Sequence, residues 1–359
     1  MKKDPFEEYI RNLPPTRKEL GQAWQTAIGL QDVDGLKPSE YLYETAKKNI
    51  DGEISVDEAG DLINSYYESK DGRSEVEART EEADKVSARI AKILSEKAFT
   101  FSPTQYLSIH RTLFLGIFSH AGKIRDYNVT KKEWVLEGDT VSYGGASELR
   151  ETLDYDFSQE REFRYNGLTM DEVIHHLAVF ISRLWQIHVF EEGNTRTTAV
   201  FLIKYLRMLG FEVENDLFAE NSWYFRNALV RANYNNIKKG VYETTEFLEK
   251  FLRNLLLDEK HELHNREMHI SGKFLLGHDE PINDPINDPI NDPIKLDDRE
   301  QQIIEILREK SDLTRKEMAA RLECSDSTVK RCLQSMVEKG VIKRIGSNKK
   351  GGWIILEGK

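Results

Sequence analysis

Apolar residues recur at every third or fourth position along most of the chain, a spacing typical of one face of an α-helix. The clearest run lies between Met170 and Ile187, and a second contains Val200 and stops at Gly210, a common residue just beyond a helix end. The nine residues from 188 to 196, between these runs, are mostly polar. The pattern predicts two helices joined by a polar loop, which opens onto the N-terminus of the second helix.

Shorter helices are predicted on both sides of this pair. Residues 1–70 contain three, and the last of them begins with a capping box formed by Ser55 and Glu58. Three short helices bury little apolar surface alone, so we expect this unit to dock onto the next domain. Further helices are predicted over 72–97, 103–118, 222–236 and 244–257.

Two segments break the helical pattern. Residues 129–135 and 140–143 read as strands on either side of a turn at Glu137-Gly138, which predicts a β-hairpin. A Pro-Ile-Asn-Asp repeat of period four starts at Pro281 and cannot form a helix, so residues 276–296 are predicted to be an extended linker. We therefore expect a mainly α protein with a helical unit at 1–70, a central domain at 71–275 and a small domain at 297–359.

The composition is ordinary for a globular protein, with 39% hydrophobic and 31% charged residues. No apolar run is long enough for a membrane span, the first residues lack a signal-peptide core, and two cysteines form no disulfide framework. We therefore expect a cytoplasmic protein. The net charge of −11 argues against nucleic-acid binding along the whole chain, but residues 297–359 carry 14 Lys and Arg against 11 Asp and Glu.

The polar loop carries side chains suited to a bound phosphate. Backbone N–H groups and the dipole at a helix N-terminus favour anions, and Gly193 would let the backbone approach one closely. The Asn194 amide can donate to an oxygen, Arg196 can grip phosphate in a fork, and Glu192 can hold Mg²⁺. His188 is the group among them suited to take a proton near neutral pH.

The sequence HVFEEGNTRTTA, from His188 to Ala199, resembles the signature of the Fic family, H-x-F-x-[D/E]-G-N-G-R-x-x-R. Thr195 replaces a glycine and Ala199 replaces the second arginine. The resemblance implies a Fic helical bundle with a β-hairpin flap. It also implies an enzyme that uses ATP and Mg²⁺ to transfer AMP to a Ser, Thr or Tyr hydroxyl of a target protein. His188 would be the general base, Asn194 would stabilise the transition state, and Glu192 would hold the metal. The nucleotide would contact Glu192, Gly193, Asn194, Thr195 and Arg196.

The predicted hairpin resembles the flap over the active site in that family, and Gly122-Lys-Ile-Arg125 before it resembles the family's G-x-y-R element. The family's flap aligns the target by strand addition. The residues that would do so here are Val129, Lys131, Trp134 and Val135. By position, Tyr234 and Tyr242 would line the adenine pocket. The alternatives are a purely structural hairpin and tyrosines that belong to the core.

Residues 1–70 resemble the small antitoxin-like inhibitory modules of the Fic family, which carry the motif [S/T]-x-x-x-E-[G/N]. Alignment on Gly35 places Asp34 at the inhibitory Glu and Leu30 at the Ser/Thr. In the family that Glu pairs with the second arginine, which is Ala199 here. We therefore expect inhibition to be weakened or rebuilt, with Asp34 as its carboxylate. The alternative is a structural cap.

Residues 297–359 resemble the winged helix-turn-helix family, with three predicted helices followed by two strands. The resemblance implies DNA binding. Base edges and phosphates would be contacted from the start of the third helix and from the wing tip, by Ser327, Thr328, Lys330, Arg331, Lys349 and Lys350. The alternative is a winged helix that contacts protein.

Two classes of function are compatible with these residues. An adenylyltransferase accounts for His188, Glu192 and Asn194 together. A nucleotide-binding transcriptional regulator without transferase activity would account for Thr195 and Ala199, and transfer of another nucleotide or of phosphocholine is a third option. We favour the adenylyltransferase, since a nucleotide sensor has no use for a base. The sequence leaves open the target, the DNA site and whether the chain is a homodimer.

Overall fold

A computed structural model describes residues 5–69, 74–213, 217–271, 294–346 and 351–356 of the chain. Within these ranges the protein is mainly α-helical, as predicted. The α-helices are α1 Pro5–Arg11, α2 Pro15–Gly29, α3 Glu40–Ile50, α4 Val56–Glu68, α5 Glu75–Ser95, α6 Pro103–Phe114, α7 Leu149–Glu162, α8 Met170–Ile187, α9 Asn194–Met208, α10 Leu217–Ala232, α11 Glu246–Leu257, α12 Asp298–Glu309, α13 Arg315–Arg321 and α14 Asp326–Glu338. No helix in the described ranges is both long and apolar enough to cross a membrane.

The strands are short and form two antiparallel pairs. β1 (Asn128–Thr130) pairs with β2 (Ile294–Leu296), and β3 (Ile342–Gly346) pairs with β4 (Gly351–Ile355). The second pair is the predicted wing. The first pair joins segments that are far apart in the sequence, and β2 lies within the segment that was predicted to be a linker. The Pro-Ile-Asn-Asp repeat itself lies outside the described residues.

Capping boxes start several helices. In the one predicted at Ser55 and Glu58, the hydroxyl accepts from the Glu58 N–H and the carboxylate accepts from the Ser55 N–H. Equivalent boxes at Thr169 and Thr314 start α8 and α13. The box at Thr169 fixes the start of the helix that leads into the polar loop.

Helices α1–α4 and the central domain share one hydrophobic core, in which Trp24 is fully buried. The backbones come close where α2 meets α10, since a Cβ added to Gly29 would lie 2.3 Å from the Cα of Ala219. Ser222 Oγ on α10 also donates to the Gly29 carbonyl at 2.9 Å. The N-terminal unit is therefore built into the central domain.

The C-terminal domain encloses a second hydrophobic core. Its buried residues lie between Leu296 and Ile342, and they form a cluster distinct from the first core. The C-terminal domain is therefore packed around its own core, and it contacts the central domain through β2 and a set of polar side chains.

The predicted hairpin is only partly correct. Residues 129–135 and 140–143 do not form a two-stranded ladder: β1 ends at Thr130, and Trp134–Leu136 is a 3-10 turn. The two arms are joined by Glu133 N–H donating to Asp139 O at 2.8 Å and by Lys131 N–H donating to Thr140 Oγ1 at 3.2 Å. The strand partner of this segment is β2, which no local sequence pattern could reveal.

Candidate active site

His188 ends α8 in a left-handed backbone conformation, with φ at 51°. Few residues other than glycine adopt this region, so the surroundings must hold it there. Arg125 does so, because its Nε donates to the His188 carbonyl at 2.7 Å and its Nη groups donate to the carbonyls of Tyr127 and Gly144. The arginine of the predicted G-x-y-R element thus fixes where the His188 ring points.

The His188 ring is buried beside two aromatic side chains. Tyr143 lies with its ring centroid 4.2 Å away, and Trp185 meets the ring edge-on at 5.6 Å. Neither ring nitrogen has a partner among the described residues. Burial, reinforced by the charges of Lys131 and Arg125, lowers the pKa of His188 well below its usual range. The imidazole is therefore neutral at pH 7 and able to accept a proton.

The loop from His188 to Gly193, the signature loop, is held from below by His110. Its ring stacks on Phe190 at 3.7 Å between centroids. Its Nδ1 accepts from the Gly122 N–H at 2.8 Å, so Nε2 carries the proton that is donated to the Glu192 carbonyl at 2.9 Å. Burial lowers the pKa of His110 to about 3, which keeps the ring in this neutral form. Sequence reasoning missed this residue, because it lies on an ordinary helical face.

Gly193 and Asn194 have structural roles that differ from the predicted ones. Gly193 has φ at 76°, and a Cβ there would lie 2.4 Å from the Phe114 ring, so the close approach is to an aromatic side chain. Asn194 Nδ2 donates to Phe190 O at 2.9 Å, and its Oδ1 accepts from Phe190 N–H at 3.1 Å. The amide predicted to contact phosphate is thus engaged in shaping the loop, which leaves the backbone N–H groups at the start of α9 as the anion donors.

The two departures from the family signature are accommodated by packing. The Thr195 hydroxyl accepts a hydrogen bond from Trp185 Nε1 at 2.9 Å, which ties the start of α9 to α8. Ala199 is fully buried inside α9. The cation lost at position 199 is not replaced from within the signature.

Glu192 is paired with a lysine from the flap. Lys131 Nζ lies 3.2 Å from both carboxylate oxygens of Glu192. Burial raises the pKa of Glu192, and the ammonium of Lys131 opposes that shift. Lys131 was predicted to contact a target, but its side chain here points into the site and neutralises the predicted metal ligand.

Arg196 is held by side chains of the N-terminal half of the chain. Its Nε lies 2.7 Å from Asp34 Oδ2, its Nη2 lies 2.7 Å from Glu82 Oε1, and its Nη1 donates to Gln31 Oε1 at 3.1 Å. In the family, the carboxylate at the position of Asp34 pairs with an arginine at the position of Ala199. Positions 196 and 199 lie three residues apart on one face of α9, so Asp34 can reach Arg196 instead. The predicted inhibitory carboxylate is therefore paired, but with the first arginine of the signature.

These side chains leave almost no free space. A cavity of only about 10 Å³ is lined by Asp34, Lys131, Glu133, Trp185, His188, Glu192, Gly193, Asn194, Thr195 and Arg226. That volume is about enough for one water molecule. His188, Glu192 and the N-terminus of α9 line this one cavity together with Asp34 and Lys131, and it is far too small for the triphosphate that was expected to lie there. Arg226, paired with Glu133 at 2.8 Å, is a further cation in its wall that the sequence did not indicate.

Two family models match parts of this chain. Residues 100–206 match the model of the Fic/DOC family. The chain carries a Fic domain. Residues 296–343 match a winged helix-turn-helix DNA-binding family, which confirms a Fic domain followed by a winged helix. A similar solved structure is a Fic family protein from Desulfovibrio desulfuricans G20, with 12% identity, a TM-score of 0.44, and coverage of 99% of this chain and 97% of that one. No curated protein matches the chain.

The residues predicted to line the adenine pocket lie away from the His188 cavity. Tyr234 donates to Asp139 Oδ2 at 2.6 Å and lines a cleft of about 650 Å³ between the Fic and winged helix domains. That cleft shares no lining residue with the His188 cavity. Tyr242 is exposed to solvent and lines neither of them.

The remaining flap residues are covered in different ways. Val135 is fully buried in the core, so it cannot contact a target as predicted. Trp134 packs edge-on against His269, with centroids 5.0 Å apart. Val129 is paired with Lys295 of β2.

In the winged helix domain, the predicted DNA-contacting residues of α14 are largely accessible. Ser327, Lys330 and Arg331 are exposed, and Thr328 is half-buried beside the N-cap Ser325. Lys349 and Lys350 lie outside the described residues.

Proposed function

We propose that this protein transfers AMP from ATP to a Ser, Thr or Tyr hydroxyl of a target protein. The observation that supports the proposal is the state of His188. Its ring is buried and has no hydrogen-bond partner among the described residues, burial lowers its pKa, and it lines a cavity with the N-terminus of α9. A proton acceptor beside an anion-binding helix end fits attack of a hydroxyl on a phosphate.

In the proposed reaction the α-phosphate lies against the first turn of α9. A ring nitrogen of His188 takes the proton of the target hydroxyl while the hydroxyl oxygen forms a bond to the α-phosphorus. The bond from that phosphorus to the bridging oxygen breaks, and pyrophosphate leaves with the electron pair. Backbone N–H groups at the start of α9 stabilise the charge that builds on the α-phosphate oxygens.

Glu192 is the side chain that would hold Mg²⁺. Its side chain is only 24% exposed and it already has a cationic partner in Lys131, so a cation suits it. No cluster of three or more metal-binding side chains occurs among the described residues. Phosphate oxygens and water would therefore supply most of the ligands of a Mg²⁺ held by Glu192. Bound there, the metal would neutralise phosphate charge.

Entry of a nucleotide requires two side chains to withdraw. Asp34 and Lys131 close the cavity, and each lies on an element outside the signature, the 3-10 turn Leu30–Asp34 and the flap. Asp34 is the more easily moved of the two, since 29% of its side chain is exposed. We propose that the N-terminal unit holds the enzyme inactive by occupying Arg196 in place of phosphate.

The test is label transfer from each of the four nucleoside triphosphates with Mg²⁺, followed by mass spectrometry of the protein and of lysate proteins. We expect AMP on protein hydroxyls, and His188→Ala should lower the rate about 10²–10⁴-fold, the usual contribution of a general base. His175→Ala, an exposed histidine on the same helix, is the matched control. Transfer that persists in His188→Ala removes the general-base role. Nucleotide binding without transfer, in forms with and without Asp34, would favour the non-enzymatic regulator, and a different adduct would identify another transferred group.

We also propose that the winged helix binds duplex DNA through the start of α14. The supporting observation is that Ser327, Lys330 and Arg331 remain exposed while this domain rests on the Fic domain. DNA and the Fic domain therefore use different faces of the winged helix.

A further inference from the structure

The exposed edge of the flap is already paired with a strand of the same chain. β1 and β2 form an antiparallel ladder in which Asn128 faces Leu296, Val129 faces Lys295 and Thr130 faces Ile294. A strand at the edge of a sheet presents free N–H and C=O groups that any extended segment can pair with. The edge expected to receive a target protein therefore has an occupant.

The side chains of β2 link this occupant to the winged helix domain. Leu296 is buried in the second core, and Ile294 packs against that core. Lys295 points the other way, as alternation along a strand requires. Its Nζ lies 3.0 Å from Glu191 Oε1 in the signature loop and 4.4 Å from the centroid of the Tyr127 ring. The apolar side chains of β2 thus pack in the winged domain, while its backbone pairs with the flap.

Polar contacts at both arms of the flap accompany the ladder. Asn128 Nδ2 donates to Asp298 Oδ1 at 2.8 Å at the start of α12. Arg308, at the other end of that helix, donates to the Thr140 carbonyl at 3.3 Å. The cleft of about 650 Å³ lies beside the Arg308 end. Because the two domains have separate cores, this interface can open without exposing either core.

We propose that β2 is a resident strand that must leave the flap, together with the winged helix domain, before the flap can pair with an extended segment of a target protein. This inference rests on the proposed function for the identity of the competing segment. The two occupants exclude each other, since β1 can form one ladder along this edge. By linkage, anything that undocks the winged domain favours target pairing, and target pairing in turn favours undocking.

The test compares the full-length protein with Lys295→Glu/Asp298→Ala. This variant places like charges next to Glu191 and removes the bond to Asn128, and neither change touches the second core. The control, Lys316→Glu/Asp312→Ala, makes the same charge change on exposed residues of the winged domain. We expect amide hydrogen exchange of residues 128–130 to be slow in the wild type and control, and about tenfold faster in the variant.

Transfer of AMP to lysate proteins is measured on the same three proteins. We expect transfer to rise in the variant in step with exchange, while the control matches the wild type. Fast exchange at 128–130 in the wild type would overturn the inference, since β2 would then not be resident. Faster exchange with unchanged transfer would also overturn it, because β2 would then not compete with targets.

A cross-link provides the opposite perturbation. Val129→Cys/Lys295→Cys, in a Cys324→Ser background, places two thiols on facing residues of the ladder. Oxidation should suppress transfer to lysate proteins and reduction should restore it; full transfer in the oxidised form would contradict the proposal. If no protein transfers AMP while exchange responds as expected, the docking of β2 is supported and the proposed enzymatic function fails.

Discussion

The N-terminal unit and the winged helix domain both lie against the Fic site, but they are attached by different physical means. The N-terminal helices share the core of the Fic domain, and at Gly29 the two backbones are in contact. The winged domain keeps its own core and touches the flap through β2 and polar side chains. The first covers Arg196 with Asp34 and Gln31, and the second covers the flap edge with a strand.

The difference determines how each cover can be removed. A unit that shares a core cannot leave without exposing apolar surface at about 25 cal/mol per Å², so Asp34 is expected to withdraw by a local movement of its turn. The winged domain can move as a body, because its contacts are polar and its core stays intact. In the proposed function, the first cover would control access of nucleotide and the second would control access of protein targets.

The largest expected effects concern the two cores. Trp24→Ala should lower the free energy of unfolding by about 3–5 kcal/mol, since the side chain is fully buried and its Nε1 donates to Asn49 Oδ1. Leu307→Ala should lower the free energy of unfolding of the winged domain by about 2–5 kcal/mol. In scanning calorimetry the first variant should shift the transition of the body that contains the Fic domain, and the second should shift a separate transition.

An exposed substitution, Val76→Ala, should leave both transitions in place. A single transition that both core variants shift equally would show that the two bodies unfold together, and the comparison would then be wrong. Deletion of residues 1–70 is a poor test of inhibition, because it would expose the core that these residues share with the Fic domain.

An intermediate effect is expected from release of Arg196. Asp34→Asn removes its ion pair and leaves Glu82 and Gln31 in place, so the combined variant Asp34→Asn/Glu82→Gln should act more strongly. We expect roughly tenfold higher affinity for ATP–Mg²⁺ and a matching rise in AMP transfer. Calorimetric titration measures the first and initial rates measure the second.

Asp32→Asn, an exposed carboxylate in the same turn, is the matched control. Unchanged affinity in both Asp34 variants would favour a structural cap over an inhibitory unit. Higher affinity without transfer would keep the inhibitory contact and remove the enzymatic proposal.

The smallest effect is expected on the outer face of the winged domain. Arg331→Ala should weaken binding to duplex DNA about equally for all sequences and reduce the salt slope of the affinity by about one. Arg299→Ala, on α12, is the control, and fluorescence anisotropy at several salt concentrations is the measurement. Equal slopes for the two variants would move the DNA-binding surface away from α14.

Sequence pattern was sufficient where neighbours in the sequence are also neighbours in space. Helix α8, the signature loop and α9 follow each other directly, so apolar spacing and a polar interruption defined them. The hairpin prediction was only partly correct because the strand partner of β1 lies at Ile294–Leu296. Tyr242 was assigned by position along the chain, and only the exposure of its side chain shows that it is unsuited to line a pocket.

The family motif identified Asp34 as a candidate carboxylate, but its partner could not be deduced from the sequence. With Ala199 in place of the second arginine, the ion pair is formed with Arg196, which also contacts Gln31 from the same turn as Asp34 and Glu82 from α5. Lys131 was likewise found in the flap, yet its contact with Glu192 depends on how the flap folds over the loop.

The sequence by itself determined the main helices and the kinds of side chain at the signature loop, because these depend on residues that are close along the chain. The tertiary structure alone decided which cation meets which carboxylate, which strand occupies the flap edge, and that the site is closed. An ion pair or a strand pairing forms with whichever group the folded chain brings within about 3 Å. Which group that is depends on contacts between segments that are distant in the sequence.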